Sequence, residues 1–443
     1  MTPQDEKNLS AKLIEPRPSA HANLGRDQTV SVVVVNAGTH PEPFQAALGL
    51  ARAGYRVEYV SGSQVSSRSV IGRVLRLLKV GNSRVLQVPT NVRLRIKTRG
   101  LQAELCYLVR RRFGSDSQLE SLRKRTTIVE RFASKRIART RDRMIVVAQN
   151  SCADVAFSAT STDDFRVLMQ PIINDRSLVD ILDQDAASSP HWSYALQYPN
   201  RELSDEDRRL LLAGAVVAGS NFVAKRLSEY FDGPILVSNY ASVSEGIEAT
   251  VRRRAGEGRL RVLFAGQVNQ RKGIGYAVEA CARLHSQVEL VVVGPIGARM
   301  RAELSRYSNV NVRGPVSREM LTNEYREAHV LLLPSLAEGF ALVGVEAMQT
   351  GLPCIVTENT GLSDVVADGL SGFVVPTADS SAIADVLSRI CNDDELLARV
   401  SSAATLAVSH LTWTLFGDDV ARGIDEISRA YWASLAQNSA PEQ

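Results

Sequence analysis

Two separate stretches of this chain alternate short apolar runs with amphipathic segments, and that alternation leaves few architectures open. Thr29–Asn36 is a near-continuous, Val-rich run. Gly38-Thr39-His40 turns it, Pro41–Ala53 has helical character, and Tyr55–Val60 is a second apolar run. Runs of this kind read as strands buried on both faces, and a strand, helix, strand order implies a parallel sheet with crossover helices. Met144–Ala148, Arg166–Gln170 and Ala215–Ala218 supply further candidate strands. A second set begins near 259, with strands at Leu260–Ala265, Val288–Val293, Val310–Val312, 330–333, Cys354–Thr357 and Gly372–Val375. Helices are expected between them at Gly273–Leu284, 298–305, 317–327, 339–350 and 379–391.

The expected fold class is α/β, with two Rossmann-like doubly wound domains facing across a cleft. Ligands of such sheets sit at the carboxyl ends of the strands. The join lies near 238–258, where Ser, Glu, Gly and Arg replace the apolar pattern. It divides an amino-terminal domain at 27–240 from a carboxy-terminal one at 241–413, and a last helix near 414–437 returns to the first domain. Residues 1–26 are polar, carry acids as well as bases, and read as a disordered tail.

The segment Glu338-Gly339-Phe340-Ala341-Leu342-Val343-Gly344-Val345-Glu346 joins a short apolar strand to a helix that stops at Gly351-Leu352-Pro353. A strand, a Gly turn and a helix start make a place where backbone N–H groups meet an anion. Glu346 lies about two turns beyond Glu338. One carboxylate at the turn and one on the helix suit a ligand with two polyhydroxylated parts. The other charged loop is Gly266-Gln267-Val268-Asn269-Gln270-Arg271-Lys272-Gly273, between a strand and a helix. Two cations at a helix start would bind a diphosphate and stabilise its charge as it departs.

On these residues the 260–376 region resembles the donor-binding domain of retaining GT-B glycosyltransferases, family GT4 (glycosyltransferase group 1). The resemblance rests also on Val291-Val292-Val293-Gly294, the Val310–Gly314 segment, Ala347-Met348, Asp368-Gly369 and Gly372-Phe373. It implies that Arg271 and Lys272 grip the diphosphate of a nucleotide-sugar. Glu338 and the 339–342 amides would hold sugar hydroxyls and phosphate, and Glu346 the ribose. The base would meet the backbone near 313–316. The implied catalytic set is thus Glu338, Lys272 and Arg271, and the implied donor-binding set is Gly266, Gln267, Gly294, Arg313, Gly339, Phe340, Ala341, Leu342 and Glu346. A hexose would be transferred with retention by front-face attack, the donor phosphate taking the acceptor proton, with no metal or other cofactor. The acceptor would be a glycan or lipid-linked, and Gly38, His40 and Gln170 fall on its side.

The chain departs from the family pattern at several points. Gln267 stands where many members have Arg, Ala341 replaces the usual second glycine, and Gly38 is alone in the first βα turn. The amino-terminal strands end in Gln149-Asn150 and Met169-Gln170-Pro171, without the family's histidine. The alternative reading is a catalytically idle GT-B-like subunit that assists a partner transferase.

Charge narrows the partners. No acid occurs between Glu58 and Glu104, a span that holds Arg68, Arg73, Arg76, Lys79, Arg84, Arg93, Arg95, Lys97 and Arg99. A long basic helix is expected at about 117–143, and 68–80 has an apolar stripe with a basic opposite face. Such a surface expects an anionic partner, and an anionic membrane face suits it. Nucleic acid fits less well, because no aromatic-plus-basic platform accompanies the charge. Asp183-Gln184-Asp185 matches a metal-binding DxD pattern but reads as a solvated acidic turn. The cysteines at 106, 152, 281, 354 and 391 form no CxxC pair, which suits a reducing compartment. The expected location is cytoplasmic, peripheral at the inner face of the membrane.

Overall fold

A computed structural model describes residues 30–69, 72–73, 85–99, 101, 118–189, 191–192, 205–242, 249–253 and 258–438. Most of the amphipathic segment 68–80, the tail 1–26 and parts of the 238–258 join lie outside these residues.

The amino-terminal sheet contains β1 (Ser31–Asn36), β2 (Arg56–Ser61), β5 (Leu94–Thr98), β6 (Met144–Gln149), β7 (Phe165–Gln170), β8 (Ala215–Ala218) and β9 (Ile235–Val237); a two-strand pair, β3 (Val65–Ser66) and β4 (Val85–Leu86), stands beside it. Its order is β5-β2-β1-β6-β7-β8-β9, with every pair parallel. The carboxy-terminal sheet contains β10 (Leu260–Ala265), β11 (Val288–Val293), β12 (Val310–Gly314), β13 (Val330–Leu333), β14 (Cys354–Thr357) and β15 (Gly372–Val375). Its order is β12-β11-β10-β13-β14-β15, again all parallel. Strands covered by helices on both faces must be apolar throughout, which is why β1, β6, β8 and β13 are buried almost end to end.

The strand order reverses between β1 and β6 in one sheet and between β10 and β13 in the other. At such a switch point the crossover loops diverge and open a crevice. In the second sheet those loops are 266–273 and 334–341. In the first they are the residues after Asn36 and after Gln149.

The helix Trp413–Asn438 packs along the helix Pro41–Arg52 in the amino-terminal lobe. At the crossing Gly49 meets the Gly417 backbone so closely that a Cβ on Gly49 would lie 1.8 Å from the Gly417 carbonyl oxygen. Arg52 pairs with Asp418 at 2.8 Å, and Trp432 donates to the Asp163 carbonyl.

Four sequence expectations are corrected. Leu94–Thr98, read only as basic sequence, is an edge strand whose Arg95 and Lys97 point to solvent; charged side chains are a common guard for such edges. The basic helix ends at Ile137 rather than near 143. The helix expected at 339–350 starts at Leu342, after Ala341 in a left-handed conformation. Asp183-Gln184-Asp185 is helical, within Asp175–Ser188, because Leu178, Ile181 and Leu182 form an apolar stripe on that segment. Asp185 is buried and bonded, not solvated.

Candidate active site

The loop after β10 is fixed by its own residues. Asn269 accepts a bond from the Lys272 amide at 3.1 Å and so caps the short turn Gln270–Lys272. Gly273 then takes φ +69°, and a Cβ there would lie 1.8 Å from the Pro334 carbonyl oxygen. Only glycine fits both constraints. The Leu336 amide donates to the Arg271 carbonyl at 2.8 Å, tying this loop to the one after β13.

That second loop carries Glu338. Its amide donates to the Asn359 carbonyl and its carbonyl accepts from the Gly361 amide. Glu338 Oε2 accepts from Arg271 Nη1 at 2.9 Å and from Lys272 Nζ. The same Arg271 nitrogen donates to the Ala337 carbonyl at 2.9 Å. The three side chains are mostly buried, with 18% of Arg271, 13% of Lys272 and 15% of Glu338 exposed. Burial alone would raise the Glu338 carboxyl, but Lys272 and Arg271 outweigh it and hold the group below its ordinary value. Burial and the adjacent Arg271 in turn hold Lys272 below its own, with Glu338 only partly offsetting them. Two cations share one carboxylate, so the cluster keeps a net positive charge.

A cavity of about 600 Å³ opens beside this cluster. Gly266, Lys272, Gly294, Glu338, Phe340, Ala341 and Leu342 line it from the carboxy-terminal lobe, with Pro315 and Val316 on the same side. Leu342 and Val343 are the first residues of the helix Leu342–Gln349, whose first-turn amides lack intrahelical acceptors and carry the positive end of the dipole. Glu42, Pro171 and Tyr240 close the cavity from the other lobe and the join. An anion with apolar and hydroxylated parts fits this lining.

Other expected site residues stand elsewhere. Glu346 is not among the cavity-lining residues; Tyr325, Arg318 and Ser242 donate to its carboxylate at 3.2–3.3 Å. Gln267 is exposed, and Arg313 points outward to pair loosely with Glu324 at 3.7 Å. Gly339 sits behind the lining, where a Cβ would meet the Pro171 carbonyl oxygen at 1.9 Å, and its carbonyl accepts from Ser220 Oγ at 2.7 Å. On the amino-terminal side Gln170 is fully buried, Gly38 half-buried and His40 exposed. Sequence reading missed Glu42, Pro171 and Tyr240. The only signal for Glu42 was an acid in the first turn of the helix after β1.

The two lobes are joined beyond the cavity. Asp185 accepts from Gln270 Nε2 at 2.7 Å and from the Tyr276 hydroxyl at 2.5 Å. Trp192 donates to Glu279 at 2.7 Å and is buried with Leu182 in the carboxy-terminal core.

Two parallel doubly wound sheets with a charged cavity between their switch points define the GT-B fold. Residues 259–393 match the family described as Glycosyl transferases group 1. It is 37% identical over 161 residues to a D-inositol 3-phosphate glycosyltransferase of Xylanimonas cellulosilytica, covering 34% of this chain and 39% of that protein. A protein of the same name from Nocardiopsis dassonvillei is 29% identical over 269 residues, 55% of this chain and 61% of the relative. The chain thus spans less than two thirds of the length of these curated relatives. Among solved structures, sucrose-phosphate synthase from Thermosynechococcus elongatus superposes with a TM-score of 0.60 at 19% identity, covering 91% of this chain and 99% of that one. Anabaena HepE, solved in complex with UDP-glucose, gives 0.55 at 13% identity, covering 90% and 99%.

Proposed function

We propose that this protein transfers a hexose from a nucleotide-sugar to an acceptor with retention of anomeric configuration. The observation that carries this reading is the Arg271–Glu338–Lys272 cluster at the β10/β13 switch point, beside a cavity closed by both lobes. In this reading the diphosphate meets Lys272, Arg271 and the first-turn amides of the helix at Leu342. Glu338, released in part from the two cations, accepts from sugar hydroxyls. The bond from the anomeric carbon to the diphosphate oxygen breaks as the cations stabilise the leaving charge. The acceptor oxygen bonds to that carbon on the same face, and its proton passes to the departing phosphate oxygen. Arg271 and Lys272 supply the positive charge for this step, so the reading involves no metal.

The acceptor is a glycan or lipid-linked, and the chain works at the cytoplasmic face of an anionic membrane. Support for the membrane comes from Arg123, Lys124, Arg131 and Lys135, all exposed on the helix Gln118–Ile137, and from exposed Ile128 and Leu211. Among the described residues no helix is long and apolar enough to cross a membrane. Salt-sensitive retention on anionic liposomes, but not on RNA, tests this part.

Thermal denaturation against UDP-, GDP- and ADP-sugars tests the donor site, because a ligand of the native state raises the melting temperature. At least one nucleotide-sugar should stabilise the wild type and fail to stabilise Lys272→Ala. Full transfer activity in Lys272→Ala would end the proposal. Stabilisation with neither transfer nor donor hydrolysis would favour the idle binding subunit, a reading to which exposed Gln267 gives some support.

A further inference from the structure

Glu42 is a cavity acid for which the donor chemistry has no use. It stands in the first turn of the helix Pro41–Arg52, at the amino-terminal switch point, and lines the same cavity as Lys272 and Glu338. Only 7% of the residue is exposed. Pro41 and Pro43 remove two amide donors from this helix start. Burial raises its carboxyl above the ordinary value, His40 and its own backbone amide pull the other way, and no side-chain donor among the described residues is bonded to it. His40, whose electrostatic influence favours the ionised form of Glu42, is itself exposed and makes no hydrogen bond to it. The Tyr59 hydroxyl is committed to Asn36 and Gln64. A carboxylate this buried and this poorly partnered does not stabilise the fold. It is what a site holds in reserve for a ligand's donors.

The rest of that wall is apolar: Pro171 and the ring of Tyr240, which is itself fixed edge-on against Phe340 at 5.6 Å. One acceptor group between two apolar surfaces matches a sugar or polyol, whose C–H face packs on the ring while a hydroxyl reaches the carboxylate.

We infer that Glu42 recognises the acceptor: its carboxylate accepts a hydrogen bond from an uncharged acceptor hydroxyl beside the donor phosphates and keeps anionic groups out of that position. This rests on the glycosyltransferase reading above. An acceptor phosphate placed there would face both Glu42 and the donor diphosphate. The acceptor is therefore neutral where it enters the cavity, and any phosphate it carries lies farther out.

The test uses the full chain, whichever of UDP-, ADP- or GDP-glucose stabilises it, and two matched acceptor pairs: glucose with glucose 6-phosphate, and myo-inositol with inositol 3-phosphate. Wild type should favour the uncharged member by at least about tenfold in kcat/KM. Glu42→Gln, which still accepts a hydrogen bond, should keep the neutral acceptor within about fivefold and narrow the discrimination. Glu42→Ala should raise the acceptor KM about tenfold or more with a much smaller change in donor KM. Melting temperatures report whether each variant folds, and Glu42→Gln alone suffices if the alanine variant does not. Unchanged acceptor KM and discrimination in the variants, or an equal rise in donor KM, overturns the inference while leaving the donor site standing. If no nucleotide-sugar binds the wild type, the glycosyltransferase reading fails and this inference fails with it.

Discussion

Gln270 Nε2 lies 2.7 Å from Asp185 Oδ2, so the residue immediately before the two site cations is anchored to the opposite lobe. Gln270 also donates to the Leu182 carbonyl, and Tyr276, in the first turn of the helix that follows, bonds the other Asp185 oxygen. Burial first, and then the bond to Asp185, push the Tyr276 hydroxyl up to about 12. The cation loop and the lobe interface are therefore one mechanical unit.

Asp185→Ala leaves two donors without their acceptor at a buried interface. It should lower stability by about 2–4 kcal/mol, since each buried unmet donor costs about 1–3 kcal/mol. It should also weaken nucleotide binding several-fold by loosening Gln270–Lys272. Urea unfolding and a nucleotide titration read the two effects; a variant with wild-type values in both would show that the anchor is idle.

Glu338 gives a pH signature. Its folded carboxyl titrates below the ordinary 4.5, so the unfolded chain binds more protons in that window. The stability it contributes is fully present above the ordinary value and is lost as pH falls through the folded one. The stability difference between wild type and Glu338→Gln should be flat near neutrality and shrink in acid. Denaturant melts across pH 3–7 measure it, and a difference that grows in acid would reverse the assignment of charge.

Ala341 holds φ +68° and ψ +67°, a left-handed conformation that costs an L-residue about 1–2 kcal/mol. Ala341→Gly should therefore stabilise the protein, by about 1 kcal/mol or less once the flexibility gained by the unfolded chain is counted. Since Ala341 lines the cavity, the same change gives a ligand more room. Differential scanning calorimetry with and without nucleotide separates the two consequences.

Arg252 fastens the join to the carboxy-terminal lobe. Its Nη2 donates to the carbonyls of Tyr325 and Thr350 and to Thr350 Oγ1, each at 3.0 Å, in a buried setting. Arg252→Ala strips those acceptors and should cost about 3 kcal/mol, with Arg252→Lys recovering part of it. Equal stability of all three proteins would mean that water replaces the guanidinium there.

Much of this fold was legible because parallel strands buried on both faces leave an unmistakable apolar run, as in Ser31–Asn36 and Val330–Leu333. The edge strand Leu94–Thr98 was not, because one charged face masks its alternation. Asp183–Asp185 was misread when a three-residue pattern was weighed above the helical stripe around it. The Arg271, Lys272 and Glu338 cluster could be anticipated because each residue sits just beyond a strand end, and the sheet order then brings the strand ends together. Glu42, Pro171 and Tyr240 could not. Their meeting with that cluster depends on how two lobes dock, and no local pattern records that docking. Glu346 is not two helical turns from Glu338, because the helix begins only at Leu342 after a left-handed Ala341, and its partners Tyr325 and Arg318 come from another element that the spacing does not reveal.

The crossing of Gly49 with Gly417 means that the last stretch of the polypeptide completes the first lobe. Phe416, Val420, Ala421 and Ile424 share a buried cluster with Ala46, Ala47 and Leu50, so a fragment ending before Trp413 would bare an oily flank of the amino-terminal half. Anyone building hybrids from this scaffold must move the tail helix together with the front half. A donor-side swap belongs inside the chain, with seams on either side of the second sheet.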